Sequence, residues 1–238
     1  MGDALPRPAY SEFARHYDAL FGEPDLACVE FVEHAVPPPA TLLDAGCGTG
    51  RYASILAIRG YNVVAVDREP QMLRHGLHGR RTVDFVLADL TLLPFTAAFD
   101  AVLARGVLND LVRLRDLTQA LRALAGTLAR HGLFIADVRE RRAHHLRIAR
   151  QPLIERTSGG VAFRARRRMH GVRFISIEQF ALAGVWSKPF RFQMRTFTED
   201  EVQSLWRLAG LEVLAILPSY GPASRLQDRL VVLARRLV

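Results

Sequence analysis

The residues best placed to do chemistry are Asp44, Gly46, Cys47 and Gly48, in the stretch LLDAGCGTG at 42–50, together with Asp67 in VVAVDREPQML. An apolar run stops at Asp44, a glycine-rich turn follows, and a helix-compatible segment begins at Arg51. A second apolar run, Val63–Val66, ends in Asp67. Strand, glycine turn, helix, strand and then a carboxylate is the layout of a nucleotide-type ligand site. Glycines let the backbone approach a ligand with no Cβ in the way, and the carboxylate can accept hydrogen bonds from two ribose hydroxyls. A dinucleotide turn of the G-x-G-x-x-G kind needs a third glycine or alanine where Arg51 stands, which disfavours a nicotinamide-dependent oxidoreductase.

Such a site needs a sheet to hold it. The pattern predicts a helix over 10–35, ended by Pro37-Pro38-Pro39, and then alternating elements. These are strand 41–45, helix 51–59, strand 62–67, helix 69–75, strands 83–88 and 100–105, helix 116–130 and strand 132–138. Alternation at this spacing means a parallel sheet with helices on both faces, and the near-continuous apolar runs Val63–Val66 and Leu133–Ala136 suit buried strands. From Leu153 the texture changes to period-two alternation, at 161–166 and 174–180 with His170-Gly171 as a turn, followed by a strand at 189–196. Thr198 and Glu201 form a capping-box pattern for a late helix, and strands 211–217 and 228–235 close the chain.

The turn and its context resemble the first motif of class I S-adenosylmethionine-dependent methyltransferases of the small-molecule type. The likeness continues in order through VLADLTLLPF around Asp89, FDAVLARGVLNDL (99–111), GTLARHGLFIADV (126–138) and MRTFTEDEVQSLWRLAGLEVL (194–214). It implies an α/β fold with a Rossmann-like, doubly wound seven-stranded sheet, an N-terminal helical lid and a small inserted antiparallel sheet. The expected division is 1–40 for the lid, 41–150 with 196–238 for the ligand-binding core, and 151–195 for the insert. The insert would cover the acceptor or form a dimer contact.

The resemblance also assigns roles. Asp44, Gly46, Cys47 and Gly48 would line the methionine half of S-adenosylmethionine, with Asp44 near its ammonium, and Asp67 would hold the ribose. Arg68 and Met72 would pack over the adenine, Met72 reading equally well as core. Asp89 and Leu90 would meet the adenine edge. Arg105, Gly106 and Val107 follow the fourth strand beneath the sulfonium, where an arginine is unexpected on charge grounds and could instead pair with a carboxylate or face the acceptor. The stretch Tyr10–Tyr17 resembles a Y-x-x-x-A-x-x-Y-D segment that closes over the cofactor, giving Tyr17, with Tyr10 or Arg15, a contact there. An amphipathic packing stripe is the competing reading. Relatives that methylate hydroxyls place a histidine base near the loop where this chain has Asn109-Asp110, so these two are the catalytic candidates alongside Tyr17. Asp137 and Arg139 sit on the ligand edge of the sheet, with Arg139 suited to a substrate carboxylate. His144 and His145, in an arginine-rich helical stretch, read as solvated.

The chain has 238 residues, enough for one domain with an elaboration, and no apolar run approaches a membrane span of roughly 20 residues. Two cysteines, Cys28 and Cys47, suit a reducing cytoplasm, and no spacing matches a metal site. The net charge of +8 is uneven: residues 139–195 carry a net +11 and the remainder −3. An anionic substrate, nucleic acid, or a solvated arginine face would each account for that segment.

The leading expectation is a bacterial cytoplasmic enzyme, monomer or homodimer, of secondary or amine metabolism. It would methylate a small amine or hydroxyl by SN2 displacement and release S-adenosylhomocysteine. Alternatives are an RNA methyltransferase using 139–195 and a non-catalytic cofactor-binding partner protein. The basic segment has few aromatics for base stacking, which weighs against RNA.

Overall fold

The computed structural model describes residues 7–77 and 82–237, so the first six residues of the expected lid lie outside the described residues. A short 3-10 turn at Ala14–His16 leads into α1 (Tyr17–Phe21) and α2 (Leu26–Ala35). The core then runs β1 (Thr41–Ala45), α3 (Arg51–Ile58), β2 (Asn62–Asp67), α4 (Pro70–Leu77), β3 (Asp84–Leu87), β4 (Phe99–Arg105), α5 (Leu114–Thr127), β5 (Leu128–Arg139) and α6 (Arg141–Arg150). After it come β6 (Leu153–Ser158), β7 (Val161–His170), β8 (Arg173–Leu182), β9 (Val185–Trp186), β10 (Phe190–Arg195), α7 (Glu199–Leu208), β11 (Leu211–Leu217) and β12 (Arg229–Arg236).

Seven strands form one sheet in the order β11-β12-β5-β4-β1-β2-β3. It is parallel except for β12, which runs antiparallel to both β5 and β11. The parallel strands are apolar on both faces because helices cover both. One face packs on α5 and α7 through Leu121, Leu124, Val202 and Trp206, the other on α2 and α3 through Val29, Val32, Ala53 and Leu56. The strand order reverses beside β1, whose C-terminal end faces the crevice in which such sheets bind ligands. No helix among the described residues is long and apolar enough to cross a membrane.

Two departures from the sequence pattern have local causes. The helix expected over 10–35 is broken because Gly22 adopts φ 81° and Pro24 follows, leaving α1 short and α2 separate. The fifth strand starts at Leu128 rather than 132, and α5 ends accordingly at Thr127. His131 in a left-handed conformation (φ 68°) and a register shift against β4 between Phe99 and Ala101 let the strand absorb its polar start.

The insert is a five-stranded antiparallel sheet with the path β10-β8-β7-β6, and β9 pairs with β8. Its central hairpin turns at Gly171, φ 56°, as the His170-Gly171 pair predicts. Alternation on β7 buries Val161, Phe163 and Ala165 and exposes Arg164, Arg166 and Arg168. The buried side receives the N-terminal segment: Phe13 stacks on Phe180 at 4.5 Å and Phe21 meets Phe163 edge-on at 5.7 Å. Each such phenylalanine contributes about 1.5–3 kcal/mol of apolar burial. The segment from Arg7 to Phe21 is thus strapped between the insert and the core. The Thr198–Glu201 capping box starts α7 as the sequence predicts.

Candidate active site

The site begins at the turn after β1. Gly46 and Gly48 adopt φ 73° and 58°, and a Cβ on Gly46 would lie 2.4 Å from Val107 Cγ2, so neither position tolerates a side chain without displacement. The Gly48 amide donates to Asp67 Oδ2 at 2.8 Å and the Glu69 amide to Oδ1 at 2.9 Å. The carboxylate that closes β2 therefore also fixes the turn after β1. Burial pushes Asp67 upward, opposed by those two amides. Deeper in, Asp44 is 3% exposed, and its Oδ2 has no hydrogen-bond partner among the described residues. Burial raises Asp44 to about 7, with the Ala53 amide opposing. A buried, unsatisfied carboxylate oxygen beside a Cβ-free turn is a place for a ligand cation.

A cavity of about 250 Å³ opens from this turn. Gly46, Gly48, Asp67, Arg68, Met72, Asp89, Leu90 and Val107 line one end. Met72 is buried against Gly48, and Asp89 accepts from the Thr91 amide and hydroxyl at 2.8 and 2.7 Å, which fixes its carboxylate at the rim. A smaller cavity of about 60 Å³ lies under the turn, walled by Tyr17, Asp44, Cys47, Thr49, Tyr52 and Arg105 among others. Thr49 donates to Asp18 at 2.6 Å, and Asp18 pairs with Arg51 at 3.2 Å, docking α1 onto the turn.

The other end of the large cavity is walled by Arg7, Tyr10, Phe21, Asp110, Leu111, Arg139, Met194 and Arg229. Tyr10 donates its hydroxyl hydrogen to Asp110 Oδ2 at 3.0 Å, and Arg7 donates to the Tyr10 oxygen at 3.0 Å. Arg7 also grips Glu178 of β8 with two bonds of 2.8 and 2.7 Å, and its guanidinium lies 4.1 Å from the Phe192 ring centroid. The chain Glu178–Arg7–Tyr10–Asp110 links insert, strap and core across the cavity. Removal from water raises Asp110 to about 6, while Arg7 and the Tyr10 hydrogen bond pull it down.

The profile of a family described as a methyltransferase domain matches residues 43–136, from within β1 to near the end of β5. Residues 43–136 are thus similar to a methyltransferase domain, and the match and the fold together support a class I S-adenosylmethionine-dependent methyltransferase. It is 30% identical over 173 residues to a ubiquinone biosynthesis O-methyltransferase from Methylocella silvestris, a match covering 71% of this chain and 65% of that protein. Matches to the first three curated relatives span 36–65% of the relatives' own length. Among solved structures, the CcbJ methyltransferase from Streptomyces caelestis superposes with a TM-score of 0.79 at 19% identity, over 97% of this chain and 98% of that one. The sugar N-methyltransferase KedS8 from a Streptoalloteichus species gives 0.75 at 20% identity, over 100% and 96%. At those identities the likeness is one of fold.

The glycine-turn end of the cavity fits the cofactor of that family, S-adenosylmethionine. The unsatisfied Asp44 oxygen suits an ammonium, Asp67 a ribose diol, and the Met72–Leu90 wall an apolar ring. Arg105 does not stand free near the cofactor's positive charge: it stacks over Tyr52 at 4.4 Å and lies 3.9 Å from Asp137. Arg68 is largely exposed and pairs with Glu69 at 3.6 Å.

Three expectations change. Asn109 is fully buried and lines neither cavity. Its amide donates to the Arg195 carbonyl at 2.7 Å and accepts from Arg229 at 3.3 Å, so its donor ties the core to β10 and its acceptor holds Arg229 of β12. Asp137 is likewise fully buried, accepting from the Tyr220 hydroxyl at 2.8 Å and paired with Arg229 at 2.9 Å, as an interior counter-ion for the arginines. His144, expected in solvent, is 2% exposed and donates to Asp228 at 2.5 Å, and burial pushes it down to about 4, so it is neutral at pH 7. His145 is exposed, and Arg15 bonds its neighbour His16 instead of reaching the cavity. Arg7, Glu178, Asp228 and Arg229 went unread. Only Arg229 left a trace, a charge at the head of the otherwise apolar run LVVLA.

Proposed function

We propose that this chain transfers a methyl group from S-adenosylmethionine to a small-molecule acceptor, an amine or a hydroxyl, by in-line displacement. The observation that carries the reading is Asp110, a half-buried carboxylate oriented by Tyr10 on the wall of the cavity that also holds the glycine turn. The cofactor supplies an already activated methyl on a sulfonium, so the protein's task is alignment and exclusion of water. Gly46 and Gly48 admit the ligand to the backbone, Asp67 takes the ribose hydroxyls and Asp44 the ammonium. The strap of Arg7 to Phe21 closes the cavity from solvent. Asp110, raised to about 6, accepts the proton that the acceptor nitrogen or oxygen loses, and Tyr10 holds it in place.

The relatives' names, one for O-methylation and one for sugar N-methylation, support both acceptor classes. The exposed arginines of β7 point away from the strap that covers the cavity, which favours a small acceptor over RNA. The reading places the enzyme in the cytoplasm of a bacterium, in secondary or amine metabolism. The strap and insert act as the acceptor's cover. The test is transfer of labelled methyl from S-adenosylmethionine into a bacterial extract separated into RNA, protein and small molecules. Label among the small molecules supports the reading; label in RNA, or none with cofactor bound, contradicts it.

A further inference from the structure

We propose that the acceptor carries an anionic group, a carboxylate or a phosphate, and that Arg139 binds it with Arg229 beside it on the cavity wall. This rests on the reading above that the large cavity takes the acceptor. Three guanidiniums, Arg105, Arg139 and Arg229, reach that wall, and the Nε of each is buried without a hydrogen-bond partner among the described residues. Their counter-ions are shared thinly. Asp228 Oδ2 alone serves Arg139 at 3.2 Å, Arg147 at 2.9 Å and His144 at 2.5 Å. Asp137 faces Arg229 at 2.9 Å, Arg105 at 3.9 Å and the Tyr220 hydroxyl. The three wall arginines and the half-exposed Arg147 thus share two carboxylates, while Arg7 is already matched by Glu178 and Asp110 is engaged by Tyr10.

Cations removed from water without matching anions are costly, so this wall is incomplete without negative charge. The cofactor's own carboxylate does not account for it. Arg105 borders the small cavity under the glycine turn with Asp44, whereas Arg139 and Arg229 border only the large one, with Asp110 and Met194. A bound cofactor adds a sulfonium and an ammonium against a single carboxylate, which increases the local positive excess. Burial together with Arg229 pushes Arg139 down to about 9, the direction expected of a guanidinium short of anions. A planar fork with an unused Nε can grip a carboxylate or phosphate with two parallel bonds.

The experiment titrates S-adenosylhomocysteine, inorganic phosphate and benzoate separately into the full chain by calorimetry, the anions with and without S-adenosylhomocysteine. Phosphate or benzoate should bind, at least tenfold more weakly to Arg139→Gln, and equally well to Arg191→Gln on the exposed face of β10. Whichever anion binds tells phosphate from carboxylate. Should Arg139→Gln fail to fold, arginine Nε–H nitrogen resonances of the wild-type chain still report. A cavity-wall guanidinium should shift with the anion, and no shift overturns the site. Anion binding unchanged in Arg139→Gln, or absent while S-adenosylhomocysteine binds, overturns the proposal alone. Arg139-dependent anion binding without S-adenosylhomocysteine binding supports the anion site and sinks the cofactor reading.

Discussion

The glycine-turn end of the cavity comes, apart from Val107, from one stretch of chain, Asp44 to Leu90, while the end proposed for the acceptor is assembled from Arg7, Asp110, Arg139, Glu178, Met194 and Arg229. The first is mostly backbone: glycines with positive φ, two amides on Asp67, and a Cβ-free approach. The second is mostly side chain, a relay of charges and hydroxyls between elements far apart in sequence. A backbone-built site suits a ligand that never varies. A side-chain site can be rewritten one residue at a time, which is how one fold serves many acceptors.

That contrast sets the order of expected effects. Asp110→Asn should lower kcat by about 10²–10⁴ as a lost proton acceptor. The proton acceptor works only when ionised, so wild-type activity should fall as pH drops through about 6, and a pH profile of the variant should lose that limb. Arg7→Ala strands Glu178, 2% exposed, without its partner, and urea unfolding should show a loss of about 3–5 kcal/mol. Replacing both, Arg7→Met with Glu178→Leu, should recover much of it. If the double variant is as unstable as the single one, the strap is held by something other than this pair.

At the other end, Gly46→Ala meets a left-handed φ costing about 1–2 kcal/mol before the overlap with Val107 is counted, so cofactor affinity should drop more than tenfold in calorimetry. Asp44 gives the smallest signal. With the free carboxyl at about 7, it is partly protonated at neutral pH, and a ligand ammonium favours its ionised form. Binding should therefore expel roughly half a proton at pH 7 and weaken below it, read from titrations in buffers of different ionisation enthalpy. Proton uptake would sink the Asp44 assignment.

The sequence showed the local end of the site far better than the assembled one. The turn at 42–50, Asp67 and Asp89 lie within a few residues of strand ends, and strand ends follow from apolar runs, so position and chemistry are read together. The capping box was equally legible, and the seven-stranded sheet followed from the family resemblance, though not its strand order. Asn109 misled because a polar pair after a strand looks the same whether it faces a ligand or, as here, a backbone carbonyl 86 residues away. Arg7 and Glu178 are 171 residues apart, and no period or spacing connects them. The break at Gly22 was visible as Gly-Glu-Pro at 22–24 but lost against the stripe of Tyr10, Phe13, Tyr17 and Leu20, which packs on the insert without one continuous helix.

The most direct test of this division is calorimetric titration of S-adenosylhomocysteine into wild type, Asp67→Ala and Asp110→Asn. The account predicts that Asp67→Ala loses about 1.5–3 kcal/mol of binding, as for charge-assisted hydrogen bonds, while Asp110→Asn stays within about threefold of wild type. Equal losses in the two variants, or no binding to wild type, would contradict it.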